Sequence, residues 1–97
     1  MTFCRRDECV RGPFTTRLRR IAGKGGWTYV TIPKKLTPPV TRAWGRTPVT
    51  AVVDDVEWST SIWRTKRGDG FLPVPKRIRG DKEDGRRVTV SFAFVDD

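Results

Sequence analysis

Hydrophobic and polar positions alternate most regularly between residues 48 and 74. Val49, Ala51 and Val53 interleave with Thr50, Val52 and Asp54. Beyond Asp54-Asp55, Val56, Trp58, Thr60 and Ile62 interleave with Glu57, Ser59, Ser61 and Trp63. A period of two puts successive side chains on opposite faces of a strand. Two such runs joined by a tight acidic turn predict an antiparallel hairpin.

The same period places other strands around it. From Phe14, residues Phe14, Thr16 and Leu18 share one face, and Thr15, Arg17 and Arg19 the other. That strand ends at the glycine-rich run 22–26, and a second follows over 27–32. In it Thr28, Val30 and Ile32 point inward while Trp27, Tyr29 and Thr31 point out. Pro33 stops the ladder. Thr37 followed by Pro38 predicts an N-cap and first-turn proline, opening a short helix to about Trp44 that Gly45 ends. Residues 64–70 read as a loop, 71–74 as a brief extended piece, and 75–79 as one turn of helix pinned by Ile78. The last strand covers 88–95, with Val88, Val90, Phe92 and Phe94 on one face.

Residues 1–13 show no periodicity, and Gly12-Pro13 is a strong breaker. They are expected to form a flexible N-terminal arm, leaving 14–95 as a single domain. About six short strands with one or two short helices predict an all-β fold. A small closed or split β-barrel is expected, since closure removes exposed strand edges.

Composition narrows the chemistry. The 97 residues include no His, so Cys–His catalysis is excluded. Cys4 and Cys9 are too far apart in sequence for a thioredoxin-like motif, and a zinc site wants four ligands. Both are read as free thiols in the mobile arm, with no metal or cofactor expected. The glycine-rich run leads into a strand rather than a helix, so it is a hairpin loop and not a phosphate cradle. Asp54, Asp55 and Glu57 belong to a turn that favours Asp for backbone reasons. Ser59, Thr60 and Ser61 have no base to activate them, and no enzyme is expected. No apolar run approaches the roughly 18 residues of a membrane span, so the expectation is a cytoplasmic protein without a membrane partner.

Charge is lopsided. Residues 1–49 hold eleven Lys or Arg against two acidic residues, while residues 50–97 hold nine of each. The whole formal surplus of +9 therefore lies in the first half. Such an asymmetry fits nucleic acid or another polyanion as partner, and equally an Arg-rich proteome and simple solubility. If the first two strands pair, Arg17 and Arg19 share an outer face with Trp27 and Tyr29. Cations beside stacking rings suit single-stranded nucleic acid, and Lys24, Lys34 and Lys35 would add to the patch. Against this, one of the two rings would pack beneath the predicted helix after residue 34. The alternative function is a small-molecule or protein-interaction module using a barrel cavity or an aromatic cleft.

A series of short matches adds a family. Gly25-Gly26-Trp27, Tyr29-Val30, Ile32-Pro33, Pro48-Val49 and Trp58-Ser59-Thr60-Ser61 come first. Leu72-Pro73-Val74-Pro75-Lys76, Ile78-Arg79 and Val88-Thr89-Val90 follow in order. Together, over about 14–95, they resemble the bacterial family called domain of unknown function 1905. The resemblance implies a double-split β-barrel, distantly like the swapped-hairpin DNA-binding domains of the AbrB and MazE type. Those relatives in fold are dimers, so both a monomer and a swapped-hairpin homodimer are open. The family commonly has Gly-Asp where this chain has Gly85-Arg86, which leaves Asp81 or Asp84 to pair with Arg79. Lys76 and Arg79 are read first as structural and second as anion contacts.

Overall fold

The computed structural model describes residues 2–6, 8–21 and 27–95. Lys24 and the glycine-rich loop around it lie outside the described residues. At the centre, β5 (Arg46–Val53) and β6 (Val56–Arg64) form the predicted hairpin, in register from Arg46↔Trp63 to Val53↔Val56. Asp54 and Asp55 close it with φ of 46° and 71°, the left-handed pair that matches a two-residue turn to the twist of its strands. The Asp54 carboxylate accepts the Thr89 N–H at 2.9 Å, and its own N–H donates to the Thr89 carbonyl at 3.0 Å. That exchange fastens the turn to β8 (Arg87–Val95), which runs antiparallel to β5.

Val88, Val90, Phe92 and Phe94 of β8 are buried as predicted, against Val49, Ala51 and Val53 of β5 and Trp58 and Ile62 of β6. Each such side chain contributes about 1.5–3 kcal/mol relative to exposure. On the far side of β8 lies β2 (Glu8–Arg17), whose register shifts between Arg11 and Phe14. Gly12 occupies the shift at φ 105°, where an added Cβ would stand 2.7 Å from the Val90 carbonyl oxygen. Only glycine fits such a bulge.

The N-terminal segment departs from expectation. β1 (Thr2–Arg5) pairs with β2, so the first thirteen residues contribute strands rather than a free arm. Cys4 lies directly opposite Cys9 in that register, with Cα atoms 3.9 Å apart, and the two form a disulfide. The thiols are therefore not free. Register brings them together where sequence spacing alone carried no such signal.

Leu18 is fully buried and interrupts the strand. Its N–H donates to the Arg86 carbonyl at 2.9 Å and its carbonyl accepts the Gly85 N–H at 2.7 Å. The chain then enters β3 (Arg19–Arg20), which pairs with β4 (Thr28–Ile32) as Arg19↔Tyr29 and Arg20↔Thr28. The anticipated first hairpin is thus confined to two residues per strand, because residues 14–17 are taken by β8. β4 pairs with β7 (Gly70–Pro73), and β7 with the end of β6. One antiparallel sheet of eight strands results, in the order β1-β2-β8-β5-β6-β7-β4-β3. The all-β class is as predicted, with eight strands among the described residues in place of about six. The ladder has β1 and β3 at its ends and is open, so its pairing is not that of a closed barrel.

The helix expected from Thr37 to Trp44 does not form. Two 3-10 turns, Lys34–Leu36 and Ala43–Gly45, flank an extended stretch instead. Pro39 disfavours helical backbone at Pro38. The Thr37 hydroxyl donates back to the Ile32 and Pro33 carbonyls rather than capping a helix. The single helix among the described residues, α1 (Lys76–Arg79), follows Pro75 and buries Ile78, as anticipated. No helix there is long and apolar enough to cross a membrane.

Candidate functional site

Residues directly opposite in an antiparallel pair point to the same face, so the registers define what the sheet shows to solvent. Arg46 opposes Trp63, Trp63 opposes Phe71, and Phe71 opposes Thr31. One row over, Pro73 opposes Tyr29, and Tyr29 opposes Arg19. All of these are exposed or half-buried, while their neighbours Thr47, Ile62, Gly70, Leu72, Val30 and Leu18 are buried. The Tyr29 and Phe71 rings stack, with centroids 4.6 Å apart and planes at 27°. An aromatic strip of Tyr29, Phe71 and Trp63 thus crosses three strands, with an arginine at each end. At about 4.8 Å per strand, Arg46 to Arg19 spans roughly 20 Å.

Two hollows border the strip. One, of about 390 Å³, lies beside Tyr29 and Phe71 and is edged by Ile21, Lys66, Arg67 and Asp69. Asp69 is engaged by the Thr65 hydroxyl. The other, of about 350 Å³, is lined by Trp27, Trp58 and Trp63 with Arg77 and Arg79. A proline creates it. The two-residue turn makes Val53↔Val56 a hydrogen-bonded pair, and such pairs alternate along the ladder. Ser59, Ser61 and Trp63 therefore direct their backbone groups away from β5. Trp63 meets Phe71 there, but two residues on Ser61 would meet Pro73, which has no N–H to give. The β6–β7 ladder ends at that point, and the strands part into the cleft.

Among the anticipated contact residues, Arg19 and Tyr29 stand together on the outer face, as foreseen. Trp27 is 59% exposed rather than packed beneath a helix, because that helix is absent. It lines the tryptophan cleft. Arg17 lies apart on β2, opposite Arg87, and donates to the Gly85 carbonyl at 2.9 Å. Lys34 and Lys35 are exposed in the first 3-10 turn, the Lys34 stem passing close to Gly68. Lys76 and Arg79 border a hollow of mixed charge with Asp81 and Asp84. Arg79 donates to the Val74 carbonyl at 3.3 Å, whereas Asp84 accepts the Arg20 N–H at 3.0 Å.

Trp63, Phe71, Arg46 and Arg77 were not anticipated. Trp63 and Phe71 become neighbours only through the pairing of β6 with β7, which no local pattern announces. The outward parity of Trp63, alternating with Ile62, was the one available signal.

A family model described as Domain of unknown function (DUF1905) matches residues 14–92. The disulfide-linked β1 and the first half of β2 fall outside that match. No curated protein and no solved structure matches the chain.

Proposed function

This chain belongs to the DUF1905 family, and we propose that it is a non-catalytic binding domain that lays single-stranded nucleic acid across its outer aromatic strip. The observation that carries this reading is the juxtaposition of Tyr29, Phe71 and Trp63 between Arg19 and Arg46. Bases stack on aromatic faces whatever their sequence, and flanking guanidinium groups neutralise phosphates. Lys66 and Arg67 supply further cations beside the stacked pair.

The test is titration of a fluorescent unpaired oligonucleotide at low and moderate salt. Binding weakens as salt rises, and Tyr29→Ala and Trp63→Ala each cost about 1–3 kcal/mol, or roughly five- to 150-fold in affinity. Absence of binding at low salt overturns the reading. The tryptophan cleft supports a second one, a small planar anion held between Trp27 and Trp63 by Arg77 and Arg79. Arg77→Ala spares the strip and so separates the two.

A further inference from the structure

Trp44 is the most exposed large apolar residue described, at 92%. It sits at the tip of a five-residue loop closed by the Arg42 N–H donating to the Arg46 carbonyl at 2.9 Å. Its backbone is left-handed, φ 69° and ψ 26°, a conformation that residues with side chains rarely adopt. The loop is anchored from behind. The Thr47 hydroxyl donates to the Pro39 carbonyl at 2.6 Å, and the Arg64 guanidinium to the Pro38 carbonyl at 3.2 Å. A rigid stem therefore holds a bare indole in water, in a conformation that burial does not explain.

Its place in the fold gives the indole a use. Gly45 lies against the backbone of Arg64 on β6, and Arg46 faces Trp63 across the hairpin. Trp44 thus lies in the loop that leads directly into Arg46. The strip's own rings are half-buried, and those of Tyr29 and Phe71 stack on each other. Trp44 instead projects, leaving both of its faces open. Projecting apolar side chains are what proteins drive against or between base pairs. The two ends of the loop carry the exposed Arg42 and Arg46, the Arg42 guanidinium donating to the Thr41 carbonyl at 2.9 Å.

We infer that Trp44 is a wedge that meets the first base pair of a duplex continuing from the bound strand, so that the preferred partner is a junction between single and double strand. This rests on the single-strand reading above. The experiment titrates the full chain with three labelled probes: an unpaired oligonucleotide, a blunt duplex, and a duplex running on into an unpaired overhang. The duplexes carry 2-aminopurine in the terminal pair. The wild-type chain binds the overhang duplex about tenfold more tightly than the unpaired strand, as expected for one added stacking contact, and the 2-aminopurine brightens as its pair unstacks. Trp44→Ala removes both effects while leaving affinity for the unpaired strand unchanged, and Trp44→Phe keeps part of each.

Equal affinity for the overhang duplex and the unpaired strand overturns the wedge and leaves the single-strand reading standing. So does a Trp44→Ala chain that keeps the preference, or one that weakens all probes alike. Failure of the wild-type chain to bind the unpaired strand at all overturns the single-strand reading, and the wedge with it.

Discussion

Arg11 shows how one side chain can hold two distant segments in place. It springs from β2, and its guanidinium lies 4.9 Å from the centre of the Phe94 ring. One nitrogen, Nη1, donates to the Leu36 carbonyl at 3.1 Å and the Thr37 carbonyl at 2.8 Å. Nε is buried without a hydrogen-bond partner. The cation is thus held from one edge by backbone dipoles and from a face by an aromatic ring. Hydrogen bonds to a charged group contribute about 1.5–3 kcal/mol, and a cation over a ring about 0.5–1 kcal/mol at exposed sites. Arg11→Ala should therefore lower stability by about 2–3 kcal/mol in urea unfolding. Arg11→Lys should recover only part, since a compact ammonium on a shorter stem lacks the planar guanidinium that spans from the Phe94 ring to both carbonyls. Equal stability of wild type and Arg11→Ala would mean that the segment after Pro33 is held by Thr37, Thr47 and Arg64 alone.

Elements marked by alternation and turn chemistry were legible, and the distant pairings that order them were not. The β5–β6 hairpin could be read because alternation and a two-residue turn sit within one stretch. The helix predicted after Thr37 failed because Pro38-Pro39 favours extended backbone, a preference that outweighs one promising cap. The β1–β2 hairpin was missed for a different reason. Among the described residues between 4 and 9 only Cys9 is buried, so no hydrophobic period announces a strand there. Pairing with β2 and the Cys4–Cys9 bond hold β1 at the end of the sheet. A loop this short yields about 2 kcal/mol from restricting the unfolded chain. Reduction should remove about that much stability and speed amide hydrogen exchange in residues 8–11. Exchange in β8, paired on its other side with β5, should stay slow. Equal protection of residues 8–11 before and after reduction would show that strand pairing alone holds β1.

At the scale of the molecule, the basic first half proves not to be a separate surface. Arg19, Tyr29 and Arg46 come from it, but Trp63, Lys66, Arg67 and Phe71 come from the neutral second half. Charge asymmetry pointed to the partner class proposed here and to Arg19 beside Tyr29, yet gave no access to the rings between the arginines. Strand order, with β7 inserted between β6 and β4, is what assembles them. The formal charge of +9 acts over the whole surface at low salt, whereas direct phosphate contacts are fixed in place. Salt dependence separates the two. For a single strand, log K falls with log salt by about 0.7 per phosphate neutralised. Three or four contacts from Arg19, Arg46, Lys66 and Arg67 give a slope of about −2 to −3. Arg19→Ala and Arg46→Ala should each make that slope shallower by about 0.7. Lys82→Ala removes the same charge from an ammonium 3.9 Å from Asp54, away from the strip, and should leave the slope unchanged. If all three variants shift it equally, the chain attracts nucleic acid through net charge alone, and the arginines at the ends of the strip have no special part in it.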